Sequence, residues 1–164
     1  MSKDYNEKLN YLPEKNQEAI KTLIDGTINN ITAMTPQQRE SMITICYQQL
    51  EPELKNIDYK EFGCSSYFEF LSQLVLAAAY VDNDFSLDEE EACDEVMKTV
   101  GLLGQPYDGD IEKLKNLELD LSKVSGMLSP PLRAMFFNFA SMIFLSDKEL
   151  NDDEYDMMID ILIP

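Results

Sequence analysis

An all-α fold, a compact bundle of about seven helices, is predicted by three features of this 164-residue chain. Apolar residues recur at spacings of three and four along most of its length, the period of a helix with one buried face. Helix-start signatures, a capping residue followed three positions later by Glu or Gln, stand ahead of those stretches. One pattern of apolar helix, Asp-bearing turn and acidic helix also occurs twice, so that two related helical hairpins are expected within the bundle. With 45% of residues hydrophobic the chain can build a core, and its length is that of one compact domain. The organisation expected is a set of N-terminal helices over 1–65 and a duplicated helical-hairpin core over 66–164.

From Pro13 to about Thr32, Ile20, Leu23, Ile24, Ile28 and Ile31 fall at helical spacing, and Asp25-Gly26 makes this one helix or a broken pair. Thr35-Pro36-Gln37-Gln38 combines a capping hydroxyl, a proline at the first helical position and a Gln at the third. The helix it opens carries Ile43, Cys46, Tyr47 and Leu50 on one face, with an end expected near Glu51-Pro52. Ser66-Tyr67-Phe68-Glu69 is a second capping box, and the run from there to Val81 has only Glu69, Ser72 and Gln73 as polar members. A helix apolar nearly all round is a buried one.

Ser86 to Val100 reads as an amphipathic helix with Cys93, Val96, Met97 and Val100 inward, an acidic opposite face, and Gly101 as its stop. Gln105 to Asp110 is loop chemistry. Behind it Leu114, Leu117, Leu121, Val124 and Leu128 fit one helical stripe, although Leu117 to Leu121 also alternates like a strand. Ser129-Pro130-Pro131 opens another almost wholly apolar helix to about Ser146, whose Met135-Phe136-Phe137-Asn138-Phe139 reads as core, and Asn151 opens the last one.

The charge sum excludes several functions. Thirteen basic against 31 acidic residues leave a net charge of −18, with no histidine. Polyphosphate and anionic membranes are repelled, so direct nucleic-acid binding is not expected. The lack of histidine removes the commonest general acid–base and metal ligand, and with them most hydrolase triads and zinc sites. No Gly-rich phosphate loop or nucleophile elbow is present either, so no enzyme is expected. The longest apolar run, Leu74 to Val81, is far below the roughly 20 residues that span a bilayer, so no membrane insertion is expected. Met1 to Tyr5 begins without a secretory pattern, and three widely spaced cysteines, Cys46, Cys64 and Cys93, fit neither a disulfide framework nor a metal knuckle. A cytoplasmic location follows.

Sliding the chain by 65 positions (147 − 82) lays Asp82-Asn83-Asp84-Phe85-Ser86-Leu87-Asp88-Glu89 onto Asp147-Lys148-Glu149-Leu150-Asn151-Asp152-Asp153-Glu154. Each copy is Asp-x-acid-apolar-cap-x-Asp-Glu. Ser86 with Glu89, and Asn151 with Glu154, are the capping boxes, with Phe85 and Leu150 placed as hydrophobic staples. Gln73 and Asn138 correspond in the repeat and are expected to hydrogen-bond across a pseudo-two-fold axis.

This doubled turn resembles those of the TerB-like (tellurite resistance protein B) family over about residues 66–163. Family turns read Ala-Asp-Gly-x-apolar-Ser/Asp-x-x-Glu, and Asn83 and Lys148 stand here in place of the glycine. The resemblance implies a bundle of two related halves, association with partner proteins, a role in stress response or phage and toxin defence, and divalent cations held by turn carboxylates. It does not imply catalysis.

Acids in a first helical turn complement the helix dipole by about 0.3–1 kcal/mol each, which accounts for Asp88, Glu89, Asp152, Asp153 and Glu154. Asp82 and Asp147 lie at the C-terminal ends of apolar helices, where the same dipole opposes them. One reading has each accept N–H bonds from its own turn. The other has a hard cation, Ca²⁺ or Mg²⁺, bound by Asp82, Asp84 and Glu89 in the first turn and by Asp147, Glu149 and Glu154 in the second. An EF-hand is excluded, because Leu87 and Asp152 stand where its glycine is required and Cys93 and Met158 where its bidentate Glu is required. Two functions follow as expectations: a cation-responsive scaffold for an unidentified protein partner, basic by charge complementarity, or an acidic decoy or immunity-type protein that neutralises a basic or nucleic-acid-binding partner.

Overall fold

Eight α-helices and one 3₁₀ turn, with no strand, make up the described part of the chain. The computed structural model describes residues 7–79, 81, 87–99, 119–146 and 149–164, with their side chains except at 7, 89, 90 and 92. A short α1 (Glu7–Asn10) precedes α2 (Glu14–Thr32) and α3 (Pro36–Leu54), and the 3₁₀ turn spans Tyr59–Phe62. Then come α4 (Tyr67–Ala79), α5 (Leu87–Thr99), α6 (Leu121–Gly126), α7 (Pro130–Phe144) and α8 (Asp152–Leu162).

The centre of the bundle is α7, which touches α2, α3, α4, α5, α6 and α8. Its sequence dictates that position. Phe136, Phe137, Phe139, Ile143 and Phe144 leave almost no polar face, and all are buried. Each such side chain removed from water contributes about 1.5–3 kcal/mol, so the helix is stable only when surrounded. The same holds for α4, where Phe70 to Leu76 are buried without a break. One apolar core runs from Ile24 and Ile43 in the N-terminal helices through α4, α5 and α7 to Met158 and Ile161.

Polar residues inside these helices mostly bond to their own backbone. The Ser72 and Ser141 hydroxyls donate to the Phe68 and Phe137 carbonyls at 2.9 and 2.6 Å, and Thr27 donates to Leu23 at 2.9 Å. The orphan carbonyls at the end of α8 are met from α6: Ser122 Oγ donates to Asp160 at 3.3 Å and Ser125 Oγ to Ile161 at 2.6 Å. The end of α6 is served in turn by Arg133, whose Nε and Nη2 donate to the Ser125 and Leu128 carbonyls.

Several elements differ from expectation. Helix α2 is the single helix of the two alternatives, unbroken through Asp25-Gly26, but its buried face is Ile24, Thr27 and Ile31, and Leu23, at the edge of that face, is half exposed. Helix α3 runs through Pro52 to Leu54, a proline in the last turn removing one hydrogen bond while Leu54 gains burial. The stripe from Leu114 to Leu128 is not one helix: Leu119 and Asp120 are non-helical, and α6 begins only at Leu121, where the Asp120 carboxylate accepts from the Ser122 and Lys123 N–H groups. The part of that stripe before Leu119, the loop at 105–110 and the start of the helix expected at Ser86 lie outside the described residues.

Candidate functional site

Of the six carboxylates expected to hold a cation, Asp82, Asp84 and Asp147 lie outside the described residues, as does the side chain of Glu89, whose backbone belongs to α5. Glu149 is exposed, two residues ahead of the N-cap of α8. Glu154 is only 5% exposed. Its Oε1 accepts from the Asn151 N–H at 3.2 Å, and Asn151 Oδ1 accepts from the Glu154 N–H at 2.9 Å, which is the full reciprocal box. Glu154 therefore fits a capping role better than a ligand role. Among the described residues no group of three or more acidic, Cys or His side chains is placed to hold a metal.

The earlier helix starts divide similarly. Thr35 and Gln38 close both halves of their box. At α4, Ser66 Oγ accepts from the Glu69 N–H at 3.1 Å, but the Glu69 carboxylate reaches one residue further back, to the N–H and hydroxyl of Ser65 at 3.1 and 2.6 Å. That box is displaced by one residue on its carboxylate side.

The Gln73–Asn138 hydrogen bond is not formed. Gln73 is fully buried with both amide atoms unpartnered among the described residues, while Asn138 is half-buried beside a shallow apolar groove between α3 and α7. The two positions differ in burial, Gln73 being fully enclosed and Asn138 only partly so.

None of the three cysteines is in a disulfide, and all are buried. Burial pushes the Cys46 thiol up to about 11, so it carries almost no thiolate at neutral pH and is a poor nucleophile. Tyr47 and Tyr67 bring their hydroxyls close without closing a hydrogen bond, and burial, then the neighbouring phenol, holds Tyr67 well above its ordinary value. Beside them Lys55 Nζ lies 2.9 Å from Glu51 Oε1 and 5.6 Å from the Tyr67 ring centroid. The Lys55 ammonium, then the Tyr47 hydroxyl, lowers the Glu51 carboxyl. These phenols stay protonated at neutral pH.

A cavity of about 390 Å³ opens where the end of α2 and the start of α3 meet α5 and the end of α7. Its apolar lining includes Ile31, Ile43, Val96, Met142 and Leu145. Its polar wall is Asp88, Glu91 and Glu95 of α5, at positions i, i+3 and i+7, facing Arg39 of α3. Arg39 Nε lies 3.6 Å from Glu95 Oε1. Ser146, just past α7, also lines it, with a buried hydroxyl oxygen that has no partner among the described residues.

Comparison of the chain with family models, with curated proteins and with solved structures finds no match.

This cavity was not foreseen from the sequence. The acidic face of α5 is visible as a pattern, but Arg39 and Ser146 carry no local signal, and only the packing of α3 and α7 on α5 brings them to it. Among the described residues no helix is long and apolar enough to cross a membrane.

Proposed function

We propose that the chain is a non-enzymatic acidic helical module of TerB-like type, in which the turns at 82–89 and 147–154 bind Ca²⁺ or Mg²⁺ and the body acts as a protein-interaction scaffold in stress response or phage and toxin defence. The observation that carries the reading is the pairing of helices. α4 packs on α5, α7 packs on α8, and the two apolar helices α4 and α7 pack on each other. That is the contact pattern two duplicated hairpins need around a pseudo-two-fold axis. The Asn151–Glu154 box supports it further, since the second copy starts its acidic helix as the repeat requires. Three buried cysteines outside any disulfide suit a reducing cytoplasm.

The cation part of the proposal rests on the aspartates at the two helix ends, because the Glu154 carboxylate has its own structural partner. Melting curves of the metal-free chain with and without millimolar Ca²⁺ or Mg²⁺ test it, since a ligand bound only by the folded state raises the midpoint. The rise is expected to survive Glu154→Gln and to vanish in the Asp82→Asn/Asp147→Asn double variant. A decoy acting by total charge would instead ignore divalent ions at these positions and lose its partner steeply with rising salt.

A further inference from the structure

The cavity between α3 and α5 has a chemistry the turns do not supply. One side is apolar, built by Ile31, Ile43, Val96, Met142 and Leu145, and the other carries, among the described residues, three carboxylates against one guanidinium. Glu95 is the one paired with Arg39. Asp88 and Glu91 form no ion pair among the described residues and are exposed at the rim. The Ser146 hydroxyl oxygen, itself buried and without a partner among the described residues, adds an acceptor to this polar side.

We propose that this cavity binds an aliphatic ammonium: an apolar stem of about four to six carbons lying along the Ile43–Val96–Met142 wall, with its charged head on Asp88, Glu91 and the Ser146 oxygen. An ammonium has three donors and no acceptor, which matches two carboxylates and a hydroxyl lone pair. Amphipathic cations of this kind bury their stem while keeping the head at a polar rim. Among the described lining residues Arg39 is the one cation a carboxylate or phosphate ligand would meet, already engaged by Glu95, and the chain carries a net charge of −18. A lysine side chain of a basic partner and a free polyamine both offer this chemistry. The proposal rests on the reading of the chain as an interaction module and names the group that a partner inserts.

Methionine methyls give a direct report, because Met34 and Met142 line the cavity whereas Met127 is exposed elsewhere and Met158 is buried in α8. The full chain, labelled at its methionine methyls and held in chelator, is titrated with hexylammonium, hexan-1-ol and spermidine. Hexylammonium is expected to shift Met34 and Met142 saturably, leaving Met127 and Met158 in place, and hexan-1-ol to bind at least about tenfold more weakly. Asp88→Asn with Glu91→Gln, both exposed positions, is expected to weaken hexylammonium about tenfold, while Asp152→Asn with Asp153→Asn, the same charge change on α8, leaves it unaltered. Spermidine binding much tighter than hexylammonium assigns the cavity to a free polyamine, and equal affinities assign it to a lysine side chain. Absence of saturable shifts at Met34 and Met142, or equal weakening by the remote pair, overturns the proposal. Because divalent ions are absent throughout, this result stands apart from whether the Asp turns bind a cation.

Discussion

The Ser129 backbone N–H donates to Glu53 Oε2 at 2.8 Å, joining the last turn of α3 to the N-cap of α7. Ser129 makes no side-chain capping bond of its own. A carboxylate from a residue 76 positions earlier thus does for α7 what the third-position Glu does within a capping box. The N-terminal helices are tied to the central helix by a charged hydrogen bond as well as by apolar packing.

Glu53→Ala is accordingly expected to destabilise the chain by about 1.5–3 kcal/mol, the range for a hydrogen bond to a charged group, with Glu53→Gln costing less because an acceptor remains. Urea unfolding of the three proteins measures this. Equal stability of Glu53→Ala and the parent would mean the α7 cap contributes nothing.

Gly26 sits inside α2, and a Cβ added there meets nothing within 4 Å. Gly26→Ala is therefore expected to raise stability by about 0.5–1 kcal/mol through helix propensity and a less flexible unfolded chain. Thermal unfolding followed by circular dichroism reads the gain; a lower midpoint would contradict the unbroken α2.

Gln73 is fully buried with neither amide atom partnered among the described residues. Replacing it by the similarly sized Leu removes that desolvation cost, and Gln73→Leu is expected to stabilise by about 1–3 kcal/mol in the same unfolding assay. A loss of stability would show that the amide is paired in solution.

The phenols give a pH dependence of fixed sign. Tyr67 has its folded value raised above the ordinary 10.0 by burial first and by Tyr47 second. From about pH 10 upward the unfolded chain releases this proton while the folded chain retains it, so stability is full below pH 10 and falls as pH rises beyond it. Cys46, raised from 9.0 to about 11, acts in the same direction from about pH 9. Melting points measured from pH 7 to 11 are expected to decline at the alkaline end, less steeply for Tyr67→Phe than for the parent. Identical slopes for the two would remove the role of Tyr67.

The helices were legible because their signals are local. Thr35 with Gln38 and Asn151 with Glu154 are read from residues three apart, and both boxes close. What was not legible depends on distant parts of the chain. Nothing near Pro52 announces that Leu54 will be buried and hold α3 together for two residues more. The helix start at Leu121 was hidden by a stripe of leucines whose spacing fits a helix on either side of Asp120. Gln73 and Asn138 match in register, yet register alone does not fix which way two side chains point. The cavity beside α5 is farthest from the sequence, since its guanidinium, carboxylates and hydroxyl come from α3, α5 and the residue after α7.

The cation claim is tested most directly by calorimetric titration of the metal-free chain with Ca²⁺ and, separately, Mg²⁺. The account predicts saturable binding of one of these ions at two sites per chain, with one site lost in Asp82→Asn, the other in Asp147→Asn, and both retained in Glu154→Gln. Heat no greater than dilution for both ions, or two sites that persist when both aspartates are neutralised, would contradict it.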